Sequence, residues 1–229
     1  IQVNAGRDIT TTAIISATGA GNIDLNAVRD IGQGANITSA GGVITADAGT
    51  GSITMTDGTL TSTSGAGTIA YTAAINVAVS QLQTANTSTV SVTATAGAIS
   101  DNLTAETANI TTGTATLLAA LGIGSGAAPA DLETDVTTID ARNTGLTGDI
   151  QINEVAAGTA IDVQRLAQTN PLGAGNILLT TEAGTITVLV GGQGVTTLGT
   201  GTITLTAVGG TSDVLVNNVV TSTTGTIQV

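Results

Sequence analysis

The chain contains no Phe, Trp, His, Cys or Lys, and only one Tyr (Tyr71), one Met (Met55) and two Pro. Each absence excludes something. Without Cys there is no disulfide framework and no thiolate chemistry. Without His and Lys, the side chains most often used as general bases and amine nucleophiles are missing. Basic residues are confined to four Arg against 16 Asp and Glu, a net charge of −12. Binding to phosphate backbones needs clustered Lys and Arg, so nucleic acid is excluded as a partner. An anionic membrane surface is excluded for the same reason. The longest small-apolar stretch, Leu117 to Ala130, carries three Gly, a Ser and a Pro and is too short to cross a bilayer, so membrane insertion is not expected. No signal-peptide pattern opens the chain, which begins at Ile1 already inside a strand pattern and reads as a piece of something longer. A core of 229 residues is normally centred on aromatics, which bury large areas. Here it must be built from Ile, Val, Leu and Ala, which suits a narrow tube.

What the chain does have is repetition. Ile1-Gln2-Val3-Asn4-Ala5-Gly6-Arg7-Asp8-Ile9 returns as Ile23-Asp24-Leu25-Asn26-Ala27-Val28-Arg29-Asp30-Ile31, with seven of nine positions matched in type. A period in the twenties carried by alternating aliphatics marks a solenoid, in which each coil buries its apolar side chains only by stacking on its neighbours. The commonest unit is Gly-x-Ile-x-aliphatic, beginning at Gly21, Gly51, Gly148, Gly175, Gly184, Gly201 and Gly225, with Tyr71 in the last position of the unit at Gly67. Alternation of this kind gives a short strand with one wet face. The Gly reads as a turn residue at positive φ. Thr is abundant; its branched Cβ favours strands and its hydroxyl suits the outer face.

The expected fold is all-β: a parallel β-helix of roughly ten coils of about 22 residues, on the order of 50 Å long at one strand spacing per coil. Ile53 with Ile75, Ile139 with Ile161, Val155 with Ile177, Leu166 with Val188 and Ile186 with Val208 keep the 22-residue spacing, whereas Ile177 and Ile203 are 26 apart. Residues 117–135 break the rhythm and read as a lateral loop excursion from a single domain spanning 1–229. Leu117 to Leu121 is open to either a short helix or a buried strand. Ile227-Gln228-Val229 repeats Ile1-Gln2-Val3, which reads either as a tandem array with a period of about 226 residues or as coincidence in a low-complexity sequence. Open strand edges at either end would then be covered by further repeats or further copies stacked end to end.

The Asn-Ala-x-Arg-Asp-Ile segments at Asn4–Ile9 and Asn26–Ile31 resemble repeats of filamentous-haemagglutinin-type bacterial exoproteins. The stretch Leu121-Gly122-Ile123-Gly124-Ser125-Gly126, with Pro129, Leu132, Thr134 and Val136, continuing to Ala141-Arg142-Asn143 and Gly148-Asp149-Ile150, is similar to a segment common in giant adhesins of that kind. The resemblance implies a right-handed coil, export across the outer membrane, an extracellular or cell-surface location, and a role as a structural fibre or stalk that meets a host or cell surface. It carries over no active site. The two-partner-secretion domain of the family is not visible in this sequence.

No residue is assigned a catalytic, cofactor-binding or metal role, and the chain is read as a non-enzyme. Several candidates were weighed. Gly191-Gly192-Gln193-Gly194-Val195-Thr196-Thr197-Leu198 follows the calcium-binding β-roll nonapeptide, but Thr196 replaces the ligand Asp. Asp131, Glu133 and Asp135 alternate and read as a solvated acidic corner rather than a cation site. Arg7-Asp8 under Arg29-Asp30 and Asn4 under Asn26 read as structural pairings, with diagonal Arg–Asp contacts relieving like-charge repulsion. Glycosylation sequons at Asn36, Asn86, Asn102 and Asn109 are expected by chance in so Asn- and Thr-rich a chain. Thr-x-Thr pairs at 54–56, 61–63, 87–89, 93–95, 185–187 and 202–206 offer the main alternative function, a binding module for ice, glycan or a host surface. That alternative requires the outward Thr to align between coils.

Overall fold

The structure is a computed structural model that describes residues 1–124, 130–156 and 160–229. Among these residues there is no helix, and parallel strands stack into a β-solenoid of about nine turns with a repeat spacing of about 24 residues. In the first coils each turn has three faces. The first holds Gln2–Ala5, Ile23–Ala27, Ile44–Ala48 and Ile69–Ala73. The second holds Ile9–Thr11, Ile31–Gln33, Ile53–Met55, Val77–Val79 and Ile99–Asp101. The third holds Ile15–Ala17, Ile37–Ser39, Leu60–Thr63 and Gln81–Gln83.

The core is a set of columns running along the tube. On the second face, Ile9, Ile31, Ile53, Val77, Ile99, Ile123, Ile150, Ile177, Ile203 and Ile227 lie one above another without a break. On the first face, a second column runs Val3, Leu25, Ala46, Tyr71, Val92, Leu117, Ala141, Leu166, Val195 and Val220. Small and large residues alternate along it, so Tyr71 fits because Ala46 lies directly beneath. At the end of the same face stands a third column: Ala5, Ala27, Ala48, Ala73, Ala94 and Ala119, then Asn143, Gln168, Thr197 and Ser222. Where it turns polar, the side chains bond corner main chain. Asn143 Nδ2 donates to the carbonyls of Thr147 and Gly148, each at 2.9 Å, and Gln168 Nε2 to that of Asn176 at 2.9 Å. The Thr197 and Ser222 hydroxyls both donate to the Gly201 carbonyl.

Tyr71 is buried, and its hydroxyl meets Gln33 Oε1 at 2.6 Å and the Thr61 hydroxyl at 2.7 Å, while Gln33 Nε2 donates to Thr61 Oγ1 at 2.9 Å. This closed trio explains why polar Gln33 and Thr61 face inward: a buried phenol needs partners.

The register departs from a uniform 22. Successive members of the second-face column are 22 to 27 residues apart. Ile53 therefore stacks under Val77 and leaves Ile75 45% exposed; Ile139 stacks under Val163, Leu166 under Val195 and Ile186 under Val214. Ile177 lies over Ile150 rather than Val155. Extra residues collect in the corners, and an alternating strand offers several aliphatics at nearly the right distance. Of the repeated triplet, the first copy lies in the first face, with Val3 under Leu25, and the second copy in the second face, with Ile227 over Ile203.

The segment 117–135 is not a single excursion. Ile110–Ala119 and Leu132–Asn143 are strands bridging the third and first faces, paired in parallel from Ile110↔Thr134 to Ala119↔Asn143. Residues 117–119 and 132–135 thus belong to the stack, and 125–129 lie outside the described residues. The first face itself changes shape higher up. Ile161–Gln168 stacks on Leu132–Asn143 with one extra residue, Gln164. In the next coil that bulge becomes a corner between Ile186–Val188 and Gly194–Thr197, and the corner is kept between Val214–Val216 and Val220–Ser222.

The Gly before a strand is required for the expected reason at some corners and for a steric one at others. Gly148 and Gly184 do have positive φ, but Gly175, Gly201 and Gly225 do not. A Cβ on Gly201 would meet the carbonyl of Gly175 one coil below, and one on Gly225 that of Gly201. Backbone rests on backbone at this corner. Gly201→Ala is expected to cost about 1–3 kcal/mol by overpacking, whereas Gly210→Ala, with nothing within 4 Å of its Cβ, should be near neutral. Tyr71→Phe should cost about 1–3 kcal/mol by orphaning buried partners. Denaturant unfolding of the three variants checks both.

Candidate functional site

The outward side of the first face carries an ordered set of polar groups without side-chain partners among the described residues. Strand alternation points Thr89, Ser91 and Thr93 of Thr89–Ala94 outward, since Val90, Val92 and Ala94 face the core. The same alternation exposes Thr114 and Thr116 in the next coil and Thr138 above them. The stack then aligns them: Thr89↔Thr114↔Thr138, Ser91↔Thr116, and Thr72↔Thr93. All seven are half-buried or exposed, and none of their hydroxyls bonds another described residue. Neighbours along a strand are about 6.6 Å apart and neighbours between coils about 4.8 Å apart. The lattice is free of charge and of aromatic rings. It ends at Asp140, held by Arg165 through Nε to Oδ1 and Nη2 to Oδ2, both 2.7 Å. Arg165 also donates to Gln193 Oε1 one coil above at 2.9 Å, so it clasps three coils beside the Gln164 bulge. Of the Thr-x-Thr pairs expected to matter, only Thr89 and Thr93 belong to this lattice; Thr61 and Thr63 face the core. The missed members repeat one phase at intervals of 25 and 24 residues, a signal hidden by the variable corners.

A second feature is the real lateral departure of the described chain, residues 102–108. After Ile99–Asp101 the chain folds back down two coils. Thr104 donates its N–H and hydroxyl to the two oxygens of Asp57, at 3.0 and 2.6 Å, and Asn102 Nδ2 donates to the Met55 carbonyl at 2.5 Å. These bonds hold the Asp57 carboxyl below its usual range. A shallow cavity of about 320 Å³ beneath this strap is lined by Asp57, Asp101, Leu103 and Glu106 among others. Two of its carboxylates are engaged: Asp57 by Thr104, and Asp101, whose Oδ1 accepts from Leu103 N–H at 2.7 Å and Asn109 Nδ2 at 2.6 Å.

Two acids are buried inside the stack. Glu133 is 2% exposed, with Oε2 lacking a partner, and burial pushes its pKa up to about 7. Glu154 is fully buried and its pKa is pushed up to about 8, chiefly by burial.

The remaining sequence candidates fall into place as structure. Arg29 donates Nε and Nη2 to the two oxygens of Asp8 at 2.8 and 2.6 Å and lies 2.9 Å from Asp30, a diagonal pairing that lowers the Asp8 pKa. Asn26 Nδ2 donates to Asn4 Oδ1 at 3.1 Å, a one-step ladder that stops at Asp47 above. In the acidic corner Glu133 is buried while Asp135 is exposed, and no group of three acidic residues is placed to hold a metal among the described residues. In the Gly-rich segment, Gly194–Thr197 is a strand with Thr196 stacked on Ala167. Asn109 is buried and donates to the Val79 and Ser80 carbonyls, which closes that sequon to any glycosyltransferase.

Asp57→Ala should free the strap. Hydrogen exchange mass spectrometry is expected to show faster exchange of amides 103–107, with protection of Ile69–Ala73 unchanged. No family model, curated protein or solved structure matches this chain.

Proposed function

We propose that this chain is a non-catalytic scaffold segment of a bacterial extracellular filament or giant surface adhesin. The observation that carries the reading is the second-face column, ten aliphatic positions stacked from Ile9 to Ile227 without interruption. Such a column, flanked by ladder hydrogen bonds directed along the axis, makes a stiff rod out of small side chains. The engaged carboxylates of the strap cavity and the absence of His, Cys and Lys from the sequence are consistent with a mechanical role. The last strands leave Val216 47% and Ile227 42% exposed, although inner members of their columns are buried. Further repeats, or further copies stacked end to end, would cover them. Electron microscopy of the natural full-length assembly tests this. A continuous filament one solenoid thick, with an axial spacing of about 4.8 Å, is expected; a discrete short particle with capped ends would refute it.

The hydroxyl lattice favours a second reading, in which the first face also docks ordered water or a hydroxylated surface. Lattice hydroxyls at two fixed spacings can hold a layer of water or sugar hydroxyls in register. Ser91→Lys with Thr116→Lys should abolish any effect on ice growth or any retention on insoluble polysaccharide while leaving the fold intact. Equal behaviour of variant and parent would remove this reading.

A further inference from the structure

Glu154 closes the strand Ile150–Glu154 and points into the tube. Its column on the third face runs Ile110, Thr134, Glu154, Thr181 and Ala207. Every group that bonds the carboxyl is neutral. The Thr134 hydroxyl donates to Oε2 at 2.8 Å, the Val136 N–H lies 3.2 Å from both oxygens, and the Ala156 main chain bonds it as well. The charged group that acts on it from the packed elements is an acid, Asp135, and further acids lie close in sequence to its stacked neighbours. Glu133 and Asp135 lie on Leu132–Asn143 in the coil below, and Glu182 follows Ile177–Thr181 in the coil above. The Arg side chains are placed elsewhere. The ion pairs found among the described residues join Arg7 and Arg29 to Asp8, Arg29 to Asp30, and Arg165 to Asp140; Arg142 alternates to the outer side of the first face.

We propose that Glu154 is a proton-binding position of the folded solenoid, stacked as the neutral acid at neutral pH, so that alkali loosens the coils around it through its ionisation. A carboxylate removed from water and faced by other acids is costly, and without a cation beside it the cheaper state is protonated. Burial, the leading cause, raises its pKa from 4.5 to about 8, and Asp135 pushes in the same direction. The sign follows from linkage. Below 4.5 both folded and unfolded chains hold the proton, and the stack is at full strength. Between 4.5 and about 8 only the folded chain holds it. Each unit of rising pH in that interval lowers the folding equilibrium by up to about tenfold. Above the folded value both states are ionised and the loss is complete. Glu133 shifts in the same direction, to about 7, and must be separated from Glu154.

Infrared spectroscopy of the whole chain in heavy water reads the protonated carboxyl directly. Glu133→Gln should retain a protonated carboxyl band at pH 7 that disappears with a midpoint near 8. Glu154→Gln should lose that band and keep only one with a midpoint near 7, from Glu133, and its folding equilibrium should fall less steeply than the parent's between pH 5 and pH 8, by up to tenfold per unit. If Glu154→Gln keeps both the band and the slope of the parent, the proposal is wrong. If the variants do not fold, the parent chain decides alone: absence of any protonated carboxyl band at pH 6 overturns the proposal, and a band surviving to a midpoint near 8 supports it.

Discussion

Everything in this molecule depends on one constraint: each residue must tolerate its counterpart about 4.8 Å above and below. Parallel stacking at that distance leaves little freedom in size. Inward positions accept a like side chain, or a large one over a small one, as Tyr71 over Ala46 illustrates. Corner positions accept no side chain at all where two main chains meet, as at Gly175 and Gly201. Most polar groups that enter the tube are held by partners in nearby coils, while Thr11, Ser80, Glu133 and Asn153 each keep one buried atom without a partner. The Gln33–Thr61–Tyr71 trio and the Asn143–Gln168 contact at 2.9 Å both show such pairing. The outer surface is constrained less, and there the register writes whatever the sequence supplies into rows.

The architecture was legible because the constraint acts on residue type. Aliphatics at alternate positions and a returning Ile define the strands, and the match of 1–9 with 23–31 gives the first register correctly, Ile9 under Ile31 included. The later registers were not legible by spacing. Corners absorb between zero and several extra residues at little cost, and Ile75 sits two residues before Val77, which takes the column position. The same ambiguity hid the hydroxyl lattice, whose members keep one phase but not one period. The strap at 102–108 was missed for another reason. Its anchor, Asp57, lies 47 residues away from Thr104, and nothing local in Asn102-Leu103-Thr104 announces so distant a partner. The reading of Gly as a positive-φ turn residue holds at Gly148 and Gly184 but not at Gly175, Gly201 or Gly225, because a steric demand from the neighbouring coil leaves the same mark on the sequence as a demand of φ.

The buried acids show how a scaffold accommodates imperfection. Glu154 occupies a position that Ile37 and Ile110 fill in other coils of the same column. The Thr residues at 61, 134 and 181 soften the third-face column around it. The result is a tube whose second face carries one wholly aliphatic column, Ile9 to Ile227, and whose third-face column mixes hydroxyls and a carboxyl among apolar groups. Stiffness along the axis therefore rests chiefly on the second face and on the first-face column from Val3 to Val220.

The end column of the first face divides the tube in a further sense. From Ala5 to Ala119 it is filled by methyl groups, and from Asn143 to Ser222 by hydrogen-bonding side chains that hold corner carbonyls. A coil from the lower part carries no group to satisfy those carbonyls, and a coil from the upper part would bring polar atoms into a space lined by methyls. A coil of one part therefore does not substitute for a coil of the other across the boundary at Ala119 and Asn143. Duplication or recombination of genetic material can lengthen either stretch, while an exchange between the two would leave a seam that does not close.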